Sequence, residues 1–103
     1  MPIPEAGFSL EFLGSVSGAG VVNFQRGGLL VRTGVGIYTL TLEREAPAGE
    51  TVVLVTPRTG AGNANAQVAH TSNTVKGITL FVGAVATDVA FDVAVFRATD
   101  TTL

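Results

Sequence analysis

Cysteine and tryptophan are absent from the sequence, and histidine occurs only once. Without cysteine, the chain has no disulfide framework, no thiolate metal site and no thiol nucleophile. A small domain without such cross-links must draw its stability from its core or from its partners. The single histidine, His70, cannot supply the three or four protein ligands that a zinc site needs. We therefore predict neither a bound metal nor a cofactor.

Charged residues are also scarce, at 14% of the chain with a formal net charge of −2, against about 25% in ordinary globular proteins. The six basic residues are scattered, whereas a nucleic-acid-binding protein clusters them on one face. Ser72, His70 and Asp88 could be combined into a catalytic triad, but no G-x-S-x-G turn accompanies them. We predict a protein that is not an enzyme and does not bind nucleic acid.

Long hydrophobic runs are missing, although 47% of the residues are hydrophobic. The longest, such as 52–55 and 81–86, fall far short of the ~20 residues of a membrane-spanning helix. Residues 1–14 lack the basic start of a signal peptide. We therefore predict a protein outside the membrane. Because extended apolar surface on such a protein usually marks a contact with another protein, we also predict an oligomer.

What the chain does contain is alternation of apolar and polar residues in short segments, separated by Gly, Pro, Asn and Ser. This pattern predicts eight strands, at 8–13, 21–25, 29–32, 37–43, 51–56, 67–71, 74–82 and 89–97. Residues 83–88 are compatible with either a turn or a continuing strand. The prediction is an all-β, antiparallel two-sheet sandwich, as an eight-stranded jelly roll. An immunoglobulin-like sandwich is the competing fold, although it usually has seven strands.

Alternation also predicts which side chains share a face. In the first segment Phe8, Leu10 and Phe12 are expected on one side. The last segment is apolar on both faces, so Phe96 points outward if Phe91 faces the core. Such two-sided strands indicate either a fully buried central strand or a subunit contact. The candidate contact residues are Tyr38, Phe81, Phe96 and Ile37.

The N-terminal residues differ from the rest of the chain, because Pro2 and Pro4 alternate with Met1 and Ile3. Proline favours extended backbone and cannot join a central strand. Residues 1–7 are therefore predicted to be an extended arm that reaches a neighbour, or a disordered terminus. The predicted organisation is this arm, one domain at 8–97 and a polar tail at 98–103.

Two stretches of the sequence follow longer residue patterns. The first is a G-x-G-x-Y-T-[VL]-T-[LV] strand, here Gly34, Gly36 and 38–42. The second is a closing D-x-x-F-x-[FV]-x-[VF]-like strand, here Asp88, Phe91, Val93 and Val95. Both resemble strands of the small jelly-roll domains of tailed-bacteriophage virion proteins. The fold is shared with the tumour-necrosis-factor-like and complement globular-head superfamily. The resemblance covers roughly residues 20–97 and implies a homotrimer.

In this family such domains serve as capsid decoration (cement) proteins, head fibres or tail-fibre tips. The short single-domain chain favours a decoration protein, made in the host cytoplasm, that binds the outer capsid surface and stabilises it. Its expected partner is then the major capsid protein, with Pro2, Ile3 and Pro4 as the candidate contacts. The alternative is a receptor- or glycan-binding tip, in which Asn63, Asn65 and Gln67 would meet a sugar.

Overall fold

Nine β-strands make up most of the computed structural model, which describes residues 7–58 and 63–98. The strands are β1 (Phe8–Val16), β2 (Val22–Arg26), β3 (Gly28–Gly34), β4 (Ile37–Leu42), β5 (Thr51–Pro57), β6 (Ala64–His70), β7 (Val75–Val82), β8 (Val85–Ala86) and β9 (Phe91–Ala98). A 3₁₀ turn at Ala48–Glu50 precedes β5. The strand beyond the predicted eight is β8, a two-residue strand within 83–88 that pairs with the end of β7.

The strands form two sheets, and every pairing among the described residues is antiparallel. The first sheet has the order β2-β1-β9-β5, and the second has the order β3-β4-β7-β6, with β8 beside β7. This confirms the predicted all-β class and the antiparallel two-sheet sandwich. The sequence cannot show that β1 lies between β2 and β9, because such pairings join residues distant along the chain.

A single apolar core fills the space between the two sheets. It consists of buried side chains from the inner faces and from the adjoining loops: Phe12, Val16, Leu30, Tyr38, Leu40, Leu42, Ala46, Ile78, Leu80, Val89, Phe91, Val93 and Val95. The alternation in β4, β7 and β9 predicts which of these residues share a face, and their burial confirms it. The inner faces therefore follow directly from the period of two.

The first strand departs from this pattern because it contains an irregularity at Glu11. The register with β9 runs Leu10↔Phe96 and then Phe12↔Val95, so one additional residue of β1 is accommodated there. Such a bulge reverses the side on which later side chains point. Phe12 is 1% exposed, whereas Phe8 and Leu10 are 49% and 52% exposed. The prediction that these three residues share one face is therefore wrong.

The proposed contact residues Pro2, Ile3 and Pro4 lie outside the described residues, as do residues 99–103 of the predicted tail. Gly7 and Ala98, which border these segments, are both described. The two residues line a common groove at one end of the first sheet. Gly7 and Ala98 therefore lie at the same end of the first sheet.

Candidate functional site

The outer face of the first sheet carries a continuous apolar surface across β1, β9 and β5. We call it the apolar outer face; its residues are Phe8, Leu10, Leu13, Val52, Leu54, Ala94, Phe96 and Ala98. The strand registers align them in two rows, Leu10–Phe96–Val52 and Leu13–Ala94–Leu54. Three neighbouring strands thus present apolar side chains directly beside each other, as a packing surface requires.

Much of this surface is open to solvent. Val52 is 56% exposed, and Leu10 and Leu54 are each 52% exposed. Single exposed apolar residues are ordinary on protein surfaces, but a contiguous apolar patch usually marks a site of interaction. The arrangement therefore makes the apolar outer face the leading candidate for a protein contact.

One end of the apolar outer face forms a shallow groove of about 360 Å³. The rings of Phe8 and Phe96 meet edge to face there, with 5.4 Å between their centroids. The lining residues are Gly7, Phe8, Glu50, Val52, Phe96 and Ala98. A groove with apolar walls and one carboxylate suits an apolar side chain of a partner better than a polar small molecule.

Two carboxylates, Glu50 and Asp92, lie beside the apolar outer face, and each pairs with an arginine. At one end Arg97 Nε lies 3.8 Å from Glu50 Oε1, and at the other end Arg58 Nε lies 3.4 Å from Asp92 Oδ1. An apolar centre with a polar rim is the usual composition of a protein–protein interface. The pairs are half exposed, so they contribute little to the stability of the monomer.

The predicted contact residues are divided among three environments. Phe96 lies on the apolar outer face, whereas Ile37 and Phe81 lie on the outer face of the second sheet, on the opposite side of the sandwich. Tyr38 lies in the core, where its ring packs edge to face against Phe91 at 4.9 Å between centroids. The four residues therefore do not form one surface.

Sequence reasoning missed most of the apolar outer face. Strict alternation groups Phe8 and Leu10 with Phe12 on one side of the strand, because the bulge at Glu11 is not visible in the sequence. Val52 and Leu54 stand in the run Thr51–Pro57, where consecutive apolar residues hide which side faces out. The signal that could have found them is that β5 and β9 are both apolar on two faces.

The two stretches that carry the family resemblance meet in space. The Gly36 amide donates to Asp88 Oδ1 at 2.8 Å, and the Tyr38 ring packs on Phe91. Arg32 also donates to both carboxylate oxygens of Asp88, at 3.1 and 2.8 Å. These hydrogen bonds hold the pKa of Asp88 below its ordinary value. These contacts therefore connect the β3–β4 hairpin to the segment before β9.

Two of the three residues considered for a triad are engaged in hydrogen bonds within the fold. The Asp88 carboxylate is held by Arg32 and Gly36. Ser72 Oγ accepts from the amides of Thr74 and Val75, at 3.3 and 3.0 Å, within the turn between β6 and β7. His70, at the end of β6, pairs in register with Lys76. Ser72 and Asp88 thus have structural roles in two different parts of the fold.

Lys76 is the only buried charged side chain among residues 7–58 and 63–98. Its place in β7 is in phase with Ile78 and Leu80, which directs it inward. Nζ donates to the carbonyl oxygens of Ala46 and Ser72, at 2.7 and 2.9 Å. Burial lowers the pKa of Lys76. The amine therefore ties two loops together at one end of the sandwich.

Asn63, Asn65 and Gln67, the residues considered for sugar binding, are all exposed. Asn65 stands opposite Phe81 and Gln67 opposite Thr79, on the outer face of the second sheet.

In the part of the chain that the structure describes, no three His, Cys, Asp or Glu residues converge on a possible metal position. The same part contains no helix that is long and apolar enough to span a membrane. Comparisons with protein-family models, with curated proteins and with solved structures each returned no match.

Proposed function

We propose that this chain is a structural virion protein, a homotrimeric decoration (cement) protein that binds and stabilises the outer surface of a bacteriophage capsid. The observation that carries the proposal is the apolar outer face, with Val52, Leu54 and Leu10 each more than half exposed. A surface of this kind supports a function performed by association with proteins. The virion context rests on the resemblance of Gly34–Leu42 and Asp88–Val95 to phage jelly-roll domains.

The connectivity of the sandwich supports a relation to jelly rolls. The first and last strands, β1 and β9, are neighbours within one sheet. The chain passes between the sheets four times, from β2 to β3, from β4 to β5, from β5 to β6 and from β8 to β9. Such wrapping of one chain around two sheets is the principle of the jelly roll. In this proposal the domain is a jelly roll with fewer strands on the β5–β6 side.

The two outer faces suit two different contacts. The apolar outer face, which includes Phe96, provides the contact between copies in the trimer. The outer face of the second sheet carries Leu29, Ile37 and Phe81 together with threonines, and it remains available to the major capsid protein. Many copies bound in this way would stabilise a capsid mechanically, since each adds buried surface between neighbouring capsid subunits.

The test has two stages. Sedimentation equilibrium should give about three times the chain mass of 10.5 kDa at micromolar concentration. The trimer should then bind expanded capsids assembled from the major capsid protein encoded in the same genome, and raise their resistance to heat. A monomer would refute the assembly, and a trimer that ignores these capsids would refute the decoration role. Specific adsorption of the trimer to host cells or to a glycan array would instead favour a receptor-binding tip.

A further inference from the structure

The groove at one end of the apolar outer face combines apolar walls with a carboxylate that has little to bind. Among the described side chains that line it, Glu50 is the one that carries a charge. Glu50 Oε1 lies 3.8 Å from Arg97 Nε, which is too long for a hydrogen bond. The Glu50 side chain is also 51% exposed. Its carboxylate can therefore accept hydrogen bonds from a cation of another molecule.

The edge strand β2 carries the matching combination, an aromatic ring beside a cation. In the register with β1, Arg26 stands opposite Leu13 and Phe24 stands opposite Ser15. Leu13 belongs to the apolar outer face, so Arg26 and Phe24, two residues apart, point to the outer side of the first sheet. The two residues are ~7 Å apart along the strand. The strand therefore presents an apolar ring and a positive charge side by side on one surface.

Both side chains are available for a contact with another molecule. Phe24 is 42% exposed, and among the described residues the other exposed aromatic side chain is Phe8, which already lines the groove. Arg26 is exposed and donates to the carbonyl oxygen of Gln25 at 2.8 Å. In the part of the chain that the structure describes, no carboxylate lies within 4 Å of Arg26. Aromatic residues and arginine are enriched at protein interfaces and among the residues that dominate binding energy.

The fold keeps these two side chains away from the groove of their own copy. The strand β2 lies at one edge of the first sheet, whereas β5, which supplies Glu50 and Val52 to the groove, lies at or beside the other edge. Three strand spacings between these edges amount to ~14 Å. Along β1, the distance from Phe8 in the groove to the partner of Phe24 is roughly 20 Å. The groove can therefore receive Phe24 and Arg26 only from another copy.

We propose that β2 of one copy docks at the groove of a second copy, with the Phe24 ring between the apolar walls and the Arg26 guanidinium on the Glu50 carboxylate. This inference rests on the proposed self-association and specifies one of its contacts. Charge complementarity selects a second copy as the occupant, because the chain itself carries the ring and the cation that match the groove. An arginine and a carboxylate can form two parallel hydrogen bonds, which fix their relative orientation.

The two parts of this contact occupy different places on the surface of one copy. Each copy can therefore offer β2 to one neighbour and receive β2 from another in its groove. A contact between two unlike patches closes into a ring when the rotation between copies allows it, as a trimer requires. Arg26 also continues the row of Leu13, Ala94 and Leu54 across the sheet. The contact is thus continuous with the apolar outer face.

Reversal of the two charges in the full-length chain tests this contact by sedimentation equilibrium. Arg26→Glu and Glu50→Arg should each weaken self-association about tenfold or more, because each brings two like charges together. The double variant restores an opposite pair, and its association constant should return to within about threefold of that of the wild type. Arg44→Glu and Glu45→Arg make the same changes in charge at exposed residues outside β2 and the groove. These controls should change the association constant less than about threefold.

A double variant that associates no better than the single variants would overturn the proposal. A second measurement leaves the charges unchanged: Phe24→Ala should weaken self-association about tenfold or more. Its control is Ile37→Ala, which removes a side chain of matching exposure, 43% against 42%, from the other sheet. Equal association constants for these two variants would also overturn the proposal.

The outcome is separable from the decoration role. Rescue by the double variant in a protein that ignores capsids would refute only the role. A trimer that binds capsids and is insensitive to the charge reversals would refute only this contact.

Discussion

The substitution Leu54→Ala tests whether the apolar outer face is the self-association surface. Leu54 is 52% exposed on β5, so about half of its surface remains to be buried in a complex. Full burial of a leucine side chain contributes ~1.5–3 kcal/mol. The substitution should therefore weaken association by about 1 kcal/mol per copy. For three copies this is about 3 kcal/mol, or roughly a hundredfold in the trimer association constant.

The chain offers a closely matched control in Leu29→Ala. Leu29 is 53% exposed and, like Leu54, lies on the outer face of an edge strand, but in the second sheet. Both substitutions should change the free energy of unfolding of the monomer by less than about 1 kcal/mol, since neither residue is in the core. Leu29→Ala should leave the trimer association constant within a factor of about three and should weaken capsid binding instead.

Sedimentation equilibrium over a concentration series measures the association constant of each variant, and thermal unfolding verifies that both are folded. Equal losses of association for the two variants would show that self-association does not select the first sheet. A larger loss for Leu29→Ala would assign the self-association contact to the second sheet and contradict the reasoning from the apolar outer face.

Two further predictions concern the fold that supports these surfaces. Burial lowers the pKa of Lys76 below its ordinary value of 10.5. Between the two pKa values the unfolded chain therefore binds more protons than the folded chain. The free energy of unfolding of the wild type should then rise with pH over this range, relative to that of Lys76→Met. Denaturant titrations from pH 7 to 10.5 measure the difference, and parallel curves would contradict a depressed pKa. Gly36 and Gly83 both have a positive φ, of 71° and 63°, but their surroundings differ. A Cβ added at Gly36 would lie 2.6 Å from the Thr87 nitrogen, whereas a Cβ added at Gly83 would meet no atom within 4 Å. Gly36→Ala should therefore cost about 3 kcal/mol or more and lower Tm by roughly 12 °C, while Gly83→Ala should cost only about 1 kcal/mol. Equal Tm changes in a calorimetric scan would show that backbone crowding at Gly36 is unimportant.

The candidate site shows where reading a sequence by alternation succeeds and where it stops. Phe96 was placed outside correctly because β9 alternates regularly and Phe91 faces the core. The expectation that Phe8 and Leu10 share a side with Phe12 is wrong, because one additional residue at Glu11 reverses the phase of the strand. Tyr38 was considered as a contact residue, although it occupies the inner face of β4 and is 0% exposed. A strand with apolar residues on both faces does not show which of them a second sheet covers.

The sequence by itself determined the all-β class, the positions of most strands and the inner faces of β4, β7 and β9, because these depend on local alternation and on turn residues. It also determined that charge is too sparse to cover the surface. Only the tertiary structure decided that β1, β9 and β5 lie side by side and join their outer residues into one surface. It alone showed that the Lys76 amine is buried and donates to the carbonyl groups of Ala46 and Ser72. These features depend on pairings between residues far apart in the chain, which local patterns do not encode.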